Sequence, residues 1–123
     1  MDETPRLLDD FFRGRPGSAA IFERIDRAIA DFGSYEVRVS KSQVAFRRRQ
    51  GFAYVWLPDT YLRGPNPEAV LSIGLPYELT SPRFKEVVDP APSRWMHHLE
   101  VRSTDDIDEE VISWLRAAFE AAG

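Results

Sequence analysis

Apolar residues fall on two different periods along this chain, and the change of period divides it into elements. Leu7, Leu8, Phe11 and Phe12 share one helical face, with Thr4 as a capping residue and Pro5 at the first helical position, which predicts a helix over about 5–13. Gly14, Pro16 and Gly17 end it. Ser18 then caps a second segment, in which Ile21, Phe22, Ile25, Ile29 and Phe32 recur three and four apart up to Gly33. That spacing predicts a helix over about 18–32.

From Tyr35 onward the period is two. Tyr35, Val37 and Val39 alternate with Glu36, Arg38 and Ser40, and Val44 and Phe46 alternate with Gln43, Ala45 and Arg47. These runs predict strands over about 35–40 and 43–49. Gln50-Gly51 supplies a turn into 52–57, where Phe52, Tyr54 and Trp56 are expected on one face and Ala53, Val55 and Leu57 on the other. A strand apolar on both faces needs cover on both sides. A loop from Pro58 to Pro67 follows, then strands over about 69–75, 84–88 and 95–102, the middle one bracketed by Pro82 and Pro90. Ile107, Val111, Leu115, Ala118 and Phe119 hold one face of a closing helix over about 106–121, capped by Thr104 or Asp105. All but one of the strand links are too short for a helical crossover, so the sheet is expected to be antiparallel. The expected fold is α+β: one domain over 1–123, two N-terminal helices, an antiparallel sheet of about five to six strands, and a C-terminal helix packed on it.

Composition adds what the pattern leaves open. The 123 residues are 43% hydrophobic, enough for a packed core and too many for a disordered chain. There is no cysteine, which excludes disulfides and thiolate chemistry. The opening MDETPRLLDD has no apolar signal core, and the longest apolar run, 52–57, is too short for a bilayer. The chain is therefore expected to be cytoplasmic, with no membrane partner.

Charge is segregated. The formal net charge is −4, yet residues 35–64 carry a net +4 and residues 103–123 a net −5. The basic segment points to an anionic partner, recognised through Arg38, Lys41, Arg47 and Arg49 on the outer face of the hairpin. Nucleic acid is one such partner, bound weakly: three phosphate contacts on a single strand give a salt slope of only about −2. The plainer reading is that these arginines solvate an exposed strand. Tyr54, Trp56, Trp95 and His98 define a second candidate, an aromatic cleft for a small molecule with His98 as a general base beside Glu100 and Arg102. A homodimer through the same sheet face is a third.

His97 is in phase with Trp95, Leu99 and Val101 and reads as a hydrogen-bonded histidine near the core. His98 and Glu100 supply two metal ligands at most, so neither a metal nor a cofactor is expected. The acidic run from Asp105 to Glu110 suits a helix start, where carboxylates offset the helix dipole. No phosphate loop, nucleophile elbow or zinc-protease motif is present, so the sequence leans away from an enzyme.

With the elements placed, the chain resembles a bacterial family, domain-of-unknown-function family 5655. The resemblance lies in Lys41–Phe46, Arg49–Ala53, Trp95–Val101 and Asp105–Phe119, and it spans about residues 20–121. Lys41, Phe46, Phe52 and His98 are the positions it singles out, without assigning them a role. Some members of that family follow a restriction-endonuclease-like domain, which implies a nucleic-acid setting for them. The arrangement is also similar to the small YdhG-like α+β proteins at the level of fold analogy.

Overall fold

The computed structural model describes residues 2–58 and 66–123. Its elements are α1 (Thr4–Phe11), α2 (Pro16–Ala30), β1 (Glu36–Val39), β2 (Val44–Arg47), β3 (Gly51–Trp56), β4 (Ala69–Leu75), β5 (Phe84–Ala91), β6 (Arg94–Val101) and α3 (Glu109–Ala121). The strands form one six-stranded sheet in the order β1-β2-β3-β4-β6-β5, antiparallel at every pairing. The α+β architecture expected from the periodicity is therefore the one observed. Of the expected loop from Pro58 to Pro67, residues 59–65 lie outside the described part.

Both N-terminal helices begin earlier than their capping residues suggest. Thr4 lies inside α1, and its hydroxyl donates to Asp2 Oδ1 at 2.7 Å. α2 starts on Pro16, whose fixed φ suits a first helical turn. Ser18 is consequently no cap: it is buried, and its Oγ donates to the carbonyl of Glu68 at 2.8 Å. At the other end, a 3₁₀ turn over Thr104–Asp106 precedes α3, and the capping role passes to Asp108, which accepts from Val111 N.

The core lies between one sheet face and the helices. Val44, Phe46, Ala53, Val55, Leu71, Ile73, Leu99 and Val101 point toward Phe22, Ile25 and Ile29 of α2 and Val111, Leu115 and Phe119 of α3. Phe52 joins them, contrary to the strict alternation that would place it with Tyr54 and Trp56. Phe46 pairs with Ala53 but Arg47 pairs with Gly51, so β3 carries one extra residue there. Such a bulge re-aims a side chain. The Phe52 ring consequently packs edge-on against Phe119, with centroids 5.7 Å apart.

The hairpin β5–β6 runs longer than its prolines suggest. β5 is the sheet edge, and its register shifts between Val88 and Ala91, so the missing N–H of Pro90 costs the ladder nothing. Pro92 and Ser93 make the turn, with Ser93 at φ 58°, and Arg94 opens β6 directly after it. Among the described residues no helix is long and apolar enough to cross a membrane.

Candidate functional site

The second sheet face carries Arg38 on β1, Ala45 on β2, Tyr54 and Trp56 on β3, Val70 and Ser72 on β4, Met96, His98 and Glu100 on β6, and Glu86 on β5. The ladder aligns Arg38, Ala45, Tyr54, Ser72, His98 and Glu86 as successive cross-strand partners. A cleft of about 470 Å³ opens on this face, lined by Ser42, Gln43, Tyr54, Trp56, Ser72, Arg94, Met96 and His98. No residue of α1, α2 or α3 borders it. That volume falls within the usual range for small-molecule sites.

Arg94 is the cleft's fixed cation. Its Nη2 donates to Tyr54 Oη at 2.9 Å and to the carbonyl of Gly51 at 3.2 Å, and its Nη1 donates to Gln50 Oε1 at 3.4 Å. These bonds hold the guanidinium in place without using all five of its donors, and none of the partners is a carboxylate. Tyr54 Oη receives the arginine's hydrogen bond, and its own hydrogen has no acceptor among the described residues. Gly51 makes room for the phenol, because a Cβ there would overlap Tyr54 Oη.

His98 forms the opposite wall. Its Nδ1 lies 2.6 Å from Ser72 Oγ, and Ser72 has no other side-chain partner among the described residues. Which of the two donates depends on the imidazole tautomer: with the ring hydrogen on Nε2, Nδ1 accepts from the serine hydroxyl. Burial pulls the His98 pKa below its ordinary value, while the Glu86 carboxylate acts against it. Beyond Trp56 and His98 lies a second hollow of about 210 Å³, lined also by Pro58, Val70, Lys85, Glu86 and Glu100.

The residues expected from sequence divide among several places. Tyr54, Trp56 and His98 meet in the cleft, whereas Trp95 pairs with Leu75 on the helix-facing side together with His97. Glu100, which lines the second hollow with His98, is bonded to Lys85 at 3.0 Å and also faces Arg102 at 3.7 Å. His97 is fully buried, with its Nδ1 3.1 Å from the Ile73 carbonyl and its Nε2 accepting from Leu79 N at 2.9 Å.

The arginine rail also breaks up. Arg38 and Arg47 share the open face, and Arg38 lies 3.7 Å from Glu36. Arg49 is in the turn after β2, where its backbone N–H donates to the carbonyl of Ala122. Arg48 turns toward α3, donates to the Phe119 carbonyl at 2.8 Å and covers that ring at 4.0 Å. Lys41 is exposed beside a separate crevice with Asp10, Phe11 and Arg13. Ser72 and Arg94 were missed by sequence reasoning. Their only signals were a lone serine in an apolar strand and an arginine immediately after a Pro-Ser turn.

An α+β domain with a cleft-bearing sheet face that no helix borders among the described residues is thus the class that fold and site define. Residues 8–122 match the family described as Domain of unknown function (DUF5655), and the chain belongs to that family. No curated protein and no solved structure matches it.

Proposed function

We propose that the domain is a binding module for a small, flat, anionic molecule seated on the open sheet face. The observation that carries this reading is Arg94: a guanidinium held by three neutral partners in the wall of a 470 Å³ cleft, with no carboxylate bonded to it among the described residues. A bound carboxylate or phosphate supplies that charge, accepting from a guanidinium hydrogen that the three bonds leave over. The Tyr54 hydroxyl adds a donor, and the faces of Tyr54 and Trp56 suit a planar ring. Arg38 and Arg47 on the same face draw an anion toward the cleft, which gives the basic hairpin a role in steering. The cysteine-free composition fits a cytoplasmic setting for such a module.

The test is a titration of isotope-labelled protein with indole-3-acetate and with its neutral analogue indole-3-acetamide. Amide shifts centred on Tyr54, Ser72, Arg94 and His98, stronger for the acid, are expected. Arg94→Met should remove the preference for the acid. Equal shifts with both compounds, or none at these positions, would overturn the reading.

A further inference from the structure

The row of cross-strand partners Tyr54, Ser72, His98 and Glu86 contains more than a binding wall needs. We propose that Ser72 and His98 form a nucleophile–base pair that accepts an acyl group from a carboxylic ester bound in the cleft. This rests on the cleft being a ligand site.

Three features support the assignment. Ser72 Oγ and His98 Nδ1 are 2.6 Å apart, within the reach a nucleophile–base pair needs, and the Nε2–H tautomer directs the hydroxyl hydrogen at the ring nitrogen. Glu86 is the cross-strand partner on the far side of His98, where its carboxylate favours the imidazolium that forms when Ser72 gives up its proton. Tyr54 is the cross-strand partner of Ser72 on β3, and its hydroxyl hydrogen is unspent. Tyr54 and Arg94 line the same cleft as Ser72, and the guanidinium's charge favours the negative charge developing on a carbonyl oxygen there. Ser72 itself is 3% exposed, so the cleft is its route to solvent.

The balanced step is as follows. Ser72 Oγ bonds to the acyl carbon, its proton passes to His98 Nδ1, and the carbonyl π pair moves onto oxygen within the cleft that Arg94 lines. Collapse of that adduct breaks the bond to the leaving alkoxide, which takes the proton from Nδ1 and departs as an alcohol. Water then repeats the sequence on the acyl-serine, releases the carboxylic acid and restores Ser72. No oxidant, reductant or metal is required.

The full chain, incubated with p-nitrophenyl acetate and analysed by intact and peptide mass, is expected to carry one acetyl group on Ser72. Ser72→Ala should abolish it, and His98→Gln should slow its formation by about 10²-fold. In a second arm, Ser72→Cys should be alkylated by iodoacetamide, with about a tenfold lower rate when His98→Gln is added. Equal rates there, or acetyl groups found only on lysines, overturn the proposal. The indole-3-acetate titration on the same wild-type sample separates the two readings. Shifts in the cleft without acetyl-Ser72 remove the nucleophile and leave the binding module standing. Acetyl-Ser72 without an acid preference removes the anion reading alone.

Discussion

Arg94 and Tyr54 are 40 residues apart in sequence, yet Nη2 of one donates to Oη of the other at 2.9 Å across the mouth of the cleft. The bond lets each side chain fix the other: the phenol orients the guanidinium, and the guanidinium leaves the phenolic hydrogen to face outward. Tyr54→Phe removes one acceptor from Arg94 and is expected to cost about 0.5–1.5 kcal/mol, read by urea unfolding. It should also weaken indole-3-acetate without abolishing it. Arg94→Met should abolish the acid preference, because only that change takes away the charge. A Tyr54→Phe variant as stable and as tight as the wild type would show that the bond positions nothing.

The three consecutive arginines are expected to differ in stability effects. Arg48 donates to the Phe119 carbonyl near the end of α3 and stacks over the Phe119 ring, so Arg48→Ala removes a charge-assisted bond and a cation–π contact together. A loss of about 1–2 kcal/mol is expected in urea midpoints. Arg49 lies exposed in the turn, and Arg49→Ala should fall within about 0.5 kcal/mol of the wild type. Equal losses in the two variants would refute the docking of this turn on α3.

These contrasts mark where sequence reading reached and where it stopped. The apolar run at β4 is bounded by polar and proline residues, and its expected limits are the observed Ala69–Leu75. The β5–β6 hairpin extended past its prolines because an edge strand tolerates them, a fact of sheet order that local pattern does not contain. Phe52 went to the wrong face for a related reason: alternation assumes one residue per pairing step, and the bulge adds one. The cleft was half legible. Alternation placed Tyr54, Trp56 and His98 on faces, but bringing them together required the pairing of β4 with β6, strands that are not consecutive. The same pairing brings Ser72 to His98 and sends Trp95 to the other side. Periodicity gives faces, and register gives neighbours.

The buried histidine offers a sharper stability test. His97 is completely enclosed and bonds Ile73 of β4 and Leu79 of the following loop with its two ring nitrogens. The Leu79 N–H needs an acceptor at Nε2, so the ring must be neutral with its hydrogen on Nδ1. His97→Leu keeps the bulk and orphans one donor and one acceptor, for an expected loss of about 2–4 kcal/mol. Amide exchange at Leu79 should accelerate with it. An unchanged urea midpoint would mean that water replaces the ring at both positions.

His98, one residue on, is expected to leave a signature in the pH dependence of stability. Burial disfavours its imidazolium, so its folded pKa lies below the ordinary value of 6.5. As the pH falls below that value, the unfolded chain binds a proton that the folded chain resists, and stability rises with pH wherever the unfolded state holds more protons. The contribution is therefore complete above about 6.5 and is lost as pH drops toward the folded pKa. Protonation at Nδ1 also ends any acceptor role of that nitrogen toward Ser72. Urea midpoints taken from pH 7.5 down to 5 should decline in the wild type, and His98→Gln should flatten that decline. Most carboxylates titrate below this window. Parallel curves for the two proteins would mean that His98 is solvated as freely in the folded chain as in the unfolded one.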